Sequence, residues 1–222
     1  MQRPPPAAAD PRVRAALDDI YGVFAAPRPR SIEGCTHCLD VDEIAALLTK
    51  PLRELSSSDL YPYVSSVFLT LGEPADFRYL LPRILEIAIC HPGALPDDEI
   101  VLGRLKHAEW EAWPKHERAP VIRLIELWLE RAMASDLRDA ITQGPFTGAF
   151  EEVLCGAARA GLDINPWLAR LASPEAEPLR AELADYHAKE LARRSPGGPL
   201  FWDEAPEGWQ AFAAVLRGEV SA

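Results

Sequence analysis

At 222 residues, with 48% hydrophobic and 26% charged side chains, the chain has an ordinary globular composition and enough length to bury a core without disulfides or a metal. That much apolar content excludes a disordered chain. The net charge of −11 is spread evenly, with 11 basic and 17 acidic residues in 1–111 and 12 and 17 in 112–222, so phosphate is repelled and nucleic acid is not an expected ligand.

Residues 1–9, rich in Pro and Ala, read as a flexible lead-in to a single helical domain over 10–222. Asp10-Pro11 has the form of an N-cap followed by proline in the first turn. Val13, Leu17, Ile20, Tyr21 and Phe24 then recur at helical spacing until Pro27. Residues 30–39 form a loop carrying Cys35 and Cys38. Asp40 is placed to cap the next helix, with Glu43 three residues on, and Pro51 ends it. A third helix is expected from Ser58 or Asp59 to Leu71, closed by Gly72. The dense apolar run 73–87 contains Pro82, which is expected to kink or split it.

Asp97 opens a helix with Ile100, Leu102 and Leu105. Pro120 to Met133 is apolar on most faces, the mark of a central helix. Phe150 to Ala157, Trp167 to Leu171 (after Asn165-Pro166) and Leu179 to Leu191 (after Ser173-Pro174) continue the pattern. Pro196 to Pro199 breaks it, and a last helix holds Trp209, Phe212, Val215 and Leu216. No run alternates as a strand would. The expected fold is all-α: about ten helices in a bundle or a curved, HEAT-like stack of helix pairs.

No apolar run approaches the roughly 18 residues that span a bilayer, and the N-terminus lacks the apolar core of a signal peptide. The expected compartment is cytoplasmic, with reduced thiols and no membrane partner.

Cys35-Thr36-His37-Cys38 is the sharpest local signal. Thiolates at this spacing grip one zinc ion from a tight turn, but a structural site needs two further ligands. These must come singly, from Cys90, His91, Cys155, His107 or His116. A redox pair and plain loop cysteines are the competing readings; the strand-rich context of a redox Cys-x2-Cys is missing. The acidic clusters Asp40-Asp42-Glu43 and Asp97-Asp98-Glu99 sit at helix starts, where the helix dipole accounts for them. Glu109, Trp110, Glu111 and Trp113 read either as an aromatic, acidic patch for a partner or as two tryptophans filling the core. No G-x-S-x-G, P-loop, dinucleotide fingerprint or H-E-x-x-H occurs.

The order Cys35-x2-Cys38, Leu52 to Leu55, Tyr61 to Leu71, Gly72, Asp76-Phe77-Arg78-Tyr79, Leu81 to Glu86, and finally Phe201-Trp202 and Trp209 resembles a widespread family of bacterial helical proteins. The resemblance spans most of the chain. It implies a small cytosolic helical protein and brings no activity with it. Within the motif, Phe77, Leu80, Leu81, Ile84 and Leu85 form a core stripe, and Arg78 and Arg83 are placed to pair with carboxylates.

Taken together, the residues point to a non-enzymatic protein-binding module, with a basic partner drawn by the acidic field. An immunity or inhibitor protein masking a toxin is one form of it. The alternatives are an enzyme using scattered Asp, Glu and His in an inter-helix pocket, with or without a metal, and a scaffold subunit of a larger assembly.

Overall fold

A computed structural model of the chain describes residues 6–34, 41–193 and 198–219. Eleven α-helices and no strand are present among them, so the all-α expectation holds. No helix among the described residues is long and apolar enough to cross a membrane. Contacts cluster into two compact units, one up to Leu127 and one from Trp128 onward.

The first unit contains α1 (Pro11–Val23), α2 (Val41–Thr49), α3 (Ser57–Ser66), α4 (Pro74–Cys90), α5 (Asp98–His107) and the opening turns of α6 (Lys115–Thr142). Asp10 caps α1 by accepting from the Arg12 backbone N–H at 2.9 Å. Ser56 and Asp59 form a reciprocal capping box at the head of α3.

At its other end α3 stops earlier than its apolar pattern suggests. Val67 leaves the helix, Phe68 adopts a left-handed φ of 63°, and the Phe68 N–H donates to the Leu71 carbonyl at 2.9 Å. Gly72 (φ 77°) therefore leads into α4 instead of closing α3. A side chain there would crowd the Tyr63 hydroxyl and the Asp76 carboxylate. The α3 carbonyls left over are taken by a buried arginine of α5. Arg104 donates to Val64 O at 3.1 Å and to Ser65 O at 2.6 Å.

Pro82 does not split α4, which runs unbroken from Pro74 to Cys90. Proline removes one intrahelical hydrogen bond. The flanking Phe77, Leu80, Leu81, Ile84 and Leu85 are all buried, and their packing outweighs that loss. The same stretch supplies the polar ties of the unit. Arg83 donates to Leu55 O at 2.8 Å and to Glu86 at 2.7 Å, and Glu86 accepts from the Tyr21 hydroxyl at 2.6 Å. Burial, reinforced by that carboxylate, pushes the Tyr21 phenol well above its ordinary pKa.

The second unit holds the rest of α6, then α7 (Ala149–Arg159), α8 (Asn165–Ala172), α9 (Glu177–Tyr186), α10 (Ala188–Arg193) and α11 (Pro206–Leu216). Helix α6 is longer than its expected bounds of Pro120 to Met133 at both ends. The helix expected through Leu179 and Leu191 is two, because the chain turns at His187 and sends that imidazole inward. Helix α11 packs against α7, α8 and α9, and its Trp209 and Phe212 meet Trp202 with ring centroids 6.1 and 5.6 Å away.

Asp136 of α6 is buried and ties down the start of α7, accepting from the Phe150 N–H at 2.8 Å and the Thr147 hydroxyl at 2.7 Å. Desolvation outweighs those bonds and raises its pKa above the ordinary 3.8. A raised folded-state value means that the native state holds the proton more tightly than the unfolded chain. The resulting stability is fully present below 3.8 and is lost as the pH rises through the folded value. Denaturant melts from about pH 3 to pH 8 are expected to show the wild type losing stability relative to Asp136→Asn as the pH climbs through that window. Parallel curves would show that Asp136 does not titrate with folding.

Candidate functional site

Cys35 and Cys38, the expected zinc pair, lie outside the described residues. Among the described residues no group of three or more His, Cys, Asp or Glu is arranged to hold a metal. Of the single ligands considered, Cys155 is buried in α7, with its thiol 3.2 Å from Phe201 O, while Cys90 and His91 end α4 in the other unit. A hollow of about 570 Å³ in the first unit is lined by Glu33, Gly34, His107 and the turn from Phe68 to Pro74. Asp97, Asp98 and Glu99 occupy the start of α5, the favourable end of its dipole.

The group Glu109, Trp110, Glu111 and Trp113 divides by side-chain type. Trp110 and Trp113 are 2% and 7% exposed, so the indoles belong to the core, and only Glu109 and Glu111 face solvent. The Trp113 ring meets Phe24 edge-on at 5.5 Å, and its N–H donates to Ala108 O at 3.2 Å. Arg78 lies over the same ring at 4.9 Å and pairs with Glu117. Aromatic surface and an N–H partner are both supplied internally, which is how a buried tryptophan is satisfied.

The motif Asp76-Phe77-Arg78-Tyr79 is thereby accounted for within the fold. Asp76 accepts from the Glu73 N–H at 2.8 Å and from the Tyr63 hydroxyl at 3.3 Å. Phe77 fills the core, and Arg78 bridges Trp113 to Glu117.

Two features of the second unit were not legible as sites. The first is a buried polar junction. Glu151 of α7 accepts from the Trp202 indole N–H at 2.9 Å and lies 2.8 Å from His187 Nε2. All three residues are at most 2% exposed. His187 packs edge-on against Trp209, with centroids 5.2 Å apart, so the buried carboxylate sits among core side chains. The junction fixes geometry.

The second feature is a groove of about 570 Å³ between α6, α8 and the 3-10 turn Pro174–Ala176. Met133, Ala134, Leu137, Ala169 and Ala176 give it an apolar lining, and Glu130, Arg170, Ser173 and Glu175 give it polar edges. Its volume suits a ligand or an anchoring set of side chains. The α6 lining follows the i, i+3, i+4, i+7 pattern from Glu130 to Leu137, so one helix face supplies it. Arg170 lies over the Trp167 ring at 4.5 Å. Glu175 is fully exposed; its own backbone N–H and the Ser173 hydroxyl hold its carboxyl below the ordinary range.

Compared with models of known protein families, with curated proteins and with solved structures, the chain matches none.

Proposed function

We propose that this chain is a non-enzymatic helical binding module that takes a basic protein partner, with the α6–α8 groove as its recognition surface. An immunity or inhibitor protein that masks a basic toxin is the concrete form of this reading. The observation that carries it is the groove itself, an apolar floor edged by two carboxylates and one arginine on a chain of charge −11. An apolar anchor in a pocket supplies affinity, and complementary charge at the rim supplies encounter rate and register.

The test is affinity capture from the native lysate at low and high salt, with wild type and with Ala169→Lys in parallel. Ala169 is exposed, so the substitution charges the groove without disturbing the core. The expected result is one basic protein held stoichiometrically at low salt, weakened at high salt and lost from the variant. Recovery of nothing, or of the same protein by the variant, overturns the proposal.

A further inference from the structure

Resting on that reading, we infer that the partner enters the groove with a single cationic amphipathic helix laid along the C-terminal half of α6. Above the buried Met133, the partly exposed apolar stripe of Ala134 and Leu137 does not end with the groove. One turn further, Ile141 continues it and is 51% exposed. The surface is therefore elongated along a helix axis, which suits side chains recurring every three or four residues. Three of the five apolar lining residues are alanines, Ala134, Ala169 and Ala176. Short side chains let a second helix bring its own large apolar residues close. An extended segment has no sheet edge to join, since no strand exists among the described residues.

Charge selects the kind of helix. Two carboxylates, Glu130 and Glu175, and one guanidinium, Arg170, line the groove, and that guanidinium lies over the Trp167 ring. Glu175 is fully exposed and held firmly ionised. Lysine or arginine flanking an apolar stripe meets these carboxylates, whereas an acidic helix would be repelled. Anionic lipid, the other surface that amphipathic helices seek, is repelled by the acidic chain itself.

The experiment uses the full chain and a labelled peptide of about 18 residues, about 27 Å long as a helix. It carries leucine at i, i+3, i+4 and i+7 and lysine elsewhere. The controls are the same composition scrambled and a Leu/Glu counterpart. Anisotropy titrations are expected to show binding of the ordered peptide alone, with helicity rising by circular dichroism. Ala169→Lys is expected to weaken it about tenfold or more and Glu175→Lys by a smaller factor. Both positions are exposed, and far-UV circular dichroism of each variant is the check that it folds.

Equal binding of the scrambled peptide, or equal affinity in Ala169→Lys, overturns the inference. If none of the three peptides binds while the lysate partner is still captured in a groove-dependent way, the helix inference falls and the binding-module reading stands. Uptake of a neutral apolar probe such as decanol with no peptide binding assigns the groove to a small ligand and overturns both.

Discussion

Replacing Glu151 with alanine is expected to cost about 3–5 kcal/mol, the largest single effect of a polar substitution in this chain. The carboxylate joins three places on the chain: its own helix α7, the turn at His187 and the 3-10 turn Leu200–Trp202. Removing it leaves the Trp202 N–H and the His187 ring nitrogen without an acceptor or donor where no water reaches them. Each orphaned group carries a desolvation penalty of about 1–3 kcal/mol. The expected readout is a melting temperature lower by roughly 10 °C. Glu151→Gln keeps one acceptor oxygen and is expected to lose about half as much. A loss under about 1 kcal/mol in the alanine variant would mean that the cavity rehydrates and that the junction is replaceable.

Arg104→Ala is the second large effect. The guanidinium donates to the last carbonyls of α3 at 3.1 and 2.6 Å from a side chain that is nearly buried. These carbonyls have no helical partner, and a cation there also complements the negative end of the α3 dipole. Hydrogen bonds to charged groups are worth about 1.5–3 kcal/mol each, so a loss of roughly 2–4 kcal/mol is expected in urea melts. Arg104→Lys should recover only part, because a point charge does not reproduce the planar fork. Full recovery by lysine would mean that charge alone, and not the paired geometry, holds the end of α3. Hydrogen exchange localises the effect: amides of the last turn of α3 should lose protection in Arg104→Ala before those of α4.

The fold class was legible because it depends on periodicity, and the start of α1 was legible because it depends on local chemistry. The Asp10 cap acts within two residues, so the sequence contains the whole interaction; the Ser56-Asp59 box is as local, yet the expected start there was Ser58 or Asp59. The continuity of α4 across Pro82 was not legible. Burial of its neighbours decides it, and burial is a tertiary property. The break at His187 was hidden for the same reason: its cause, Glu151, lies 36 residues away. Trp110 and Trp113 were ambiguous because an indole suits a core and an interface equally. The groove left the faintest trace. It is made partly of alanines, whose importance is the space they leave, and alanine in a helix carries no signal. The continuation of the α6 stripe from Met133 through Leu137 to Ile141 was the one readable hint.

The position of α11 in the second unit sets an order of events during synthesis. Helices α7, α8 and α9 emerge from the ribosome first, and the element that covers all three is encoded after them. Until residues 206–216 clear the exit tunnel, α7, α8 and α9 lack the helix that packs on all three, and Trp202 lacks the Phe212 ring on which it stacks. At a translation rate of roughly 5–20 residues per second this interval lasts seconds, long enough for a chaperone to engage the uncovered helices. A nascent chain stalled before Pro206 is therefore the species expected to recruit one, and release of the chaperone should coincide with the emergence of Phe212.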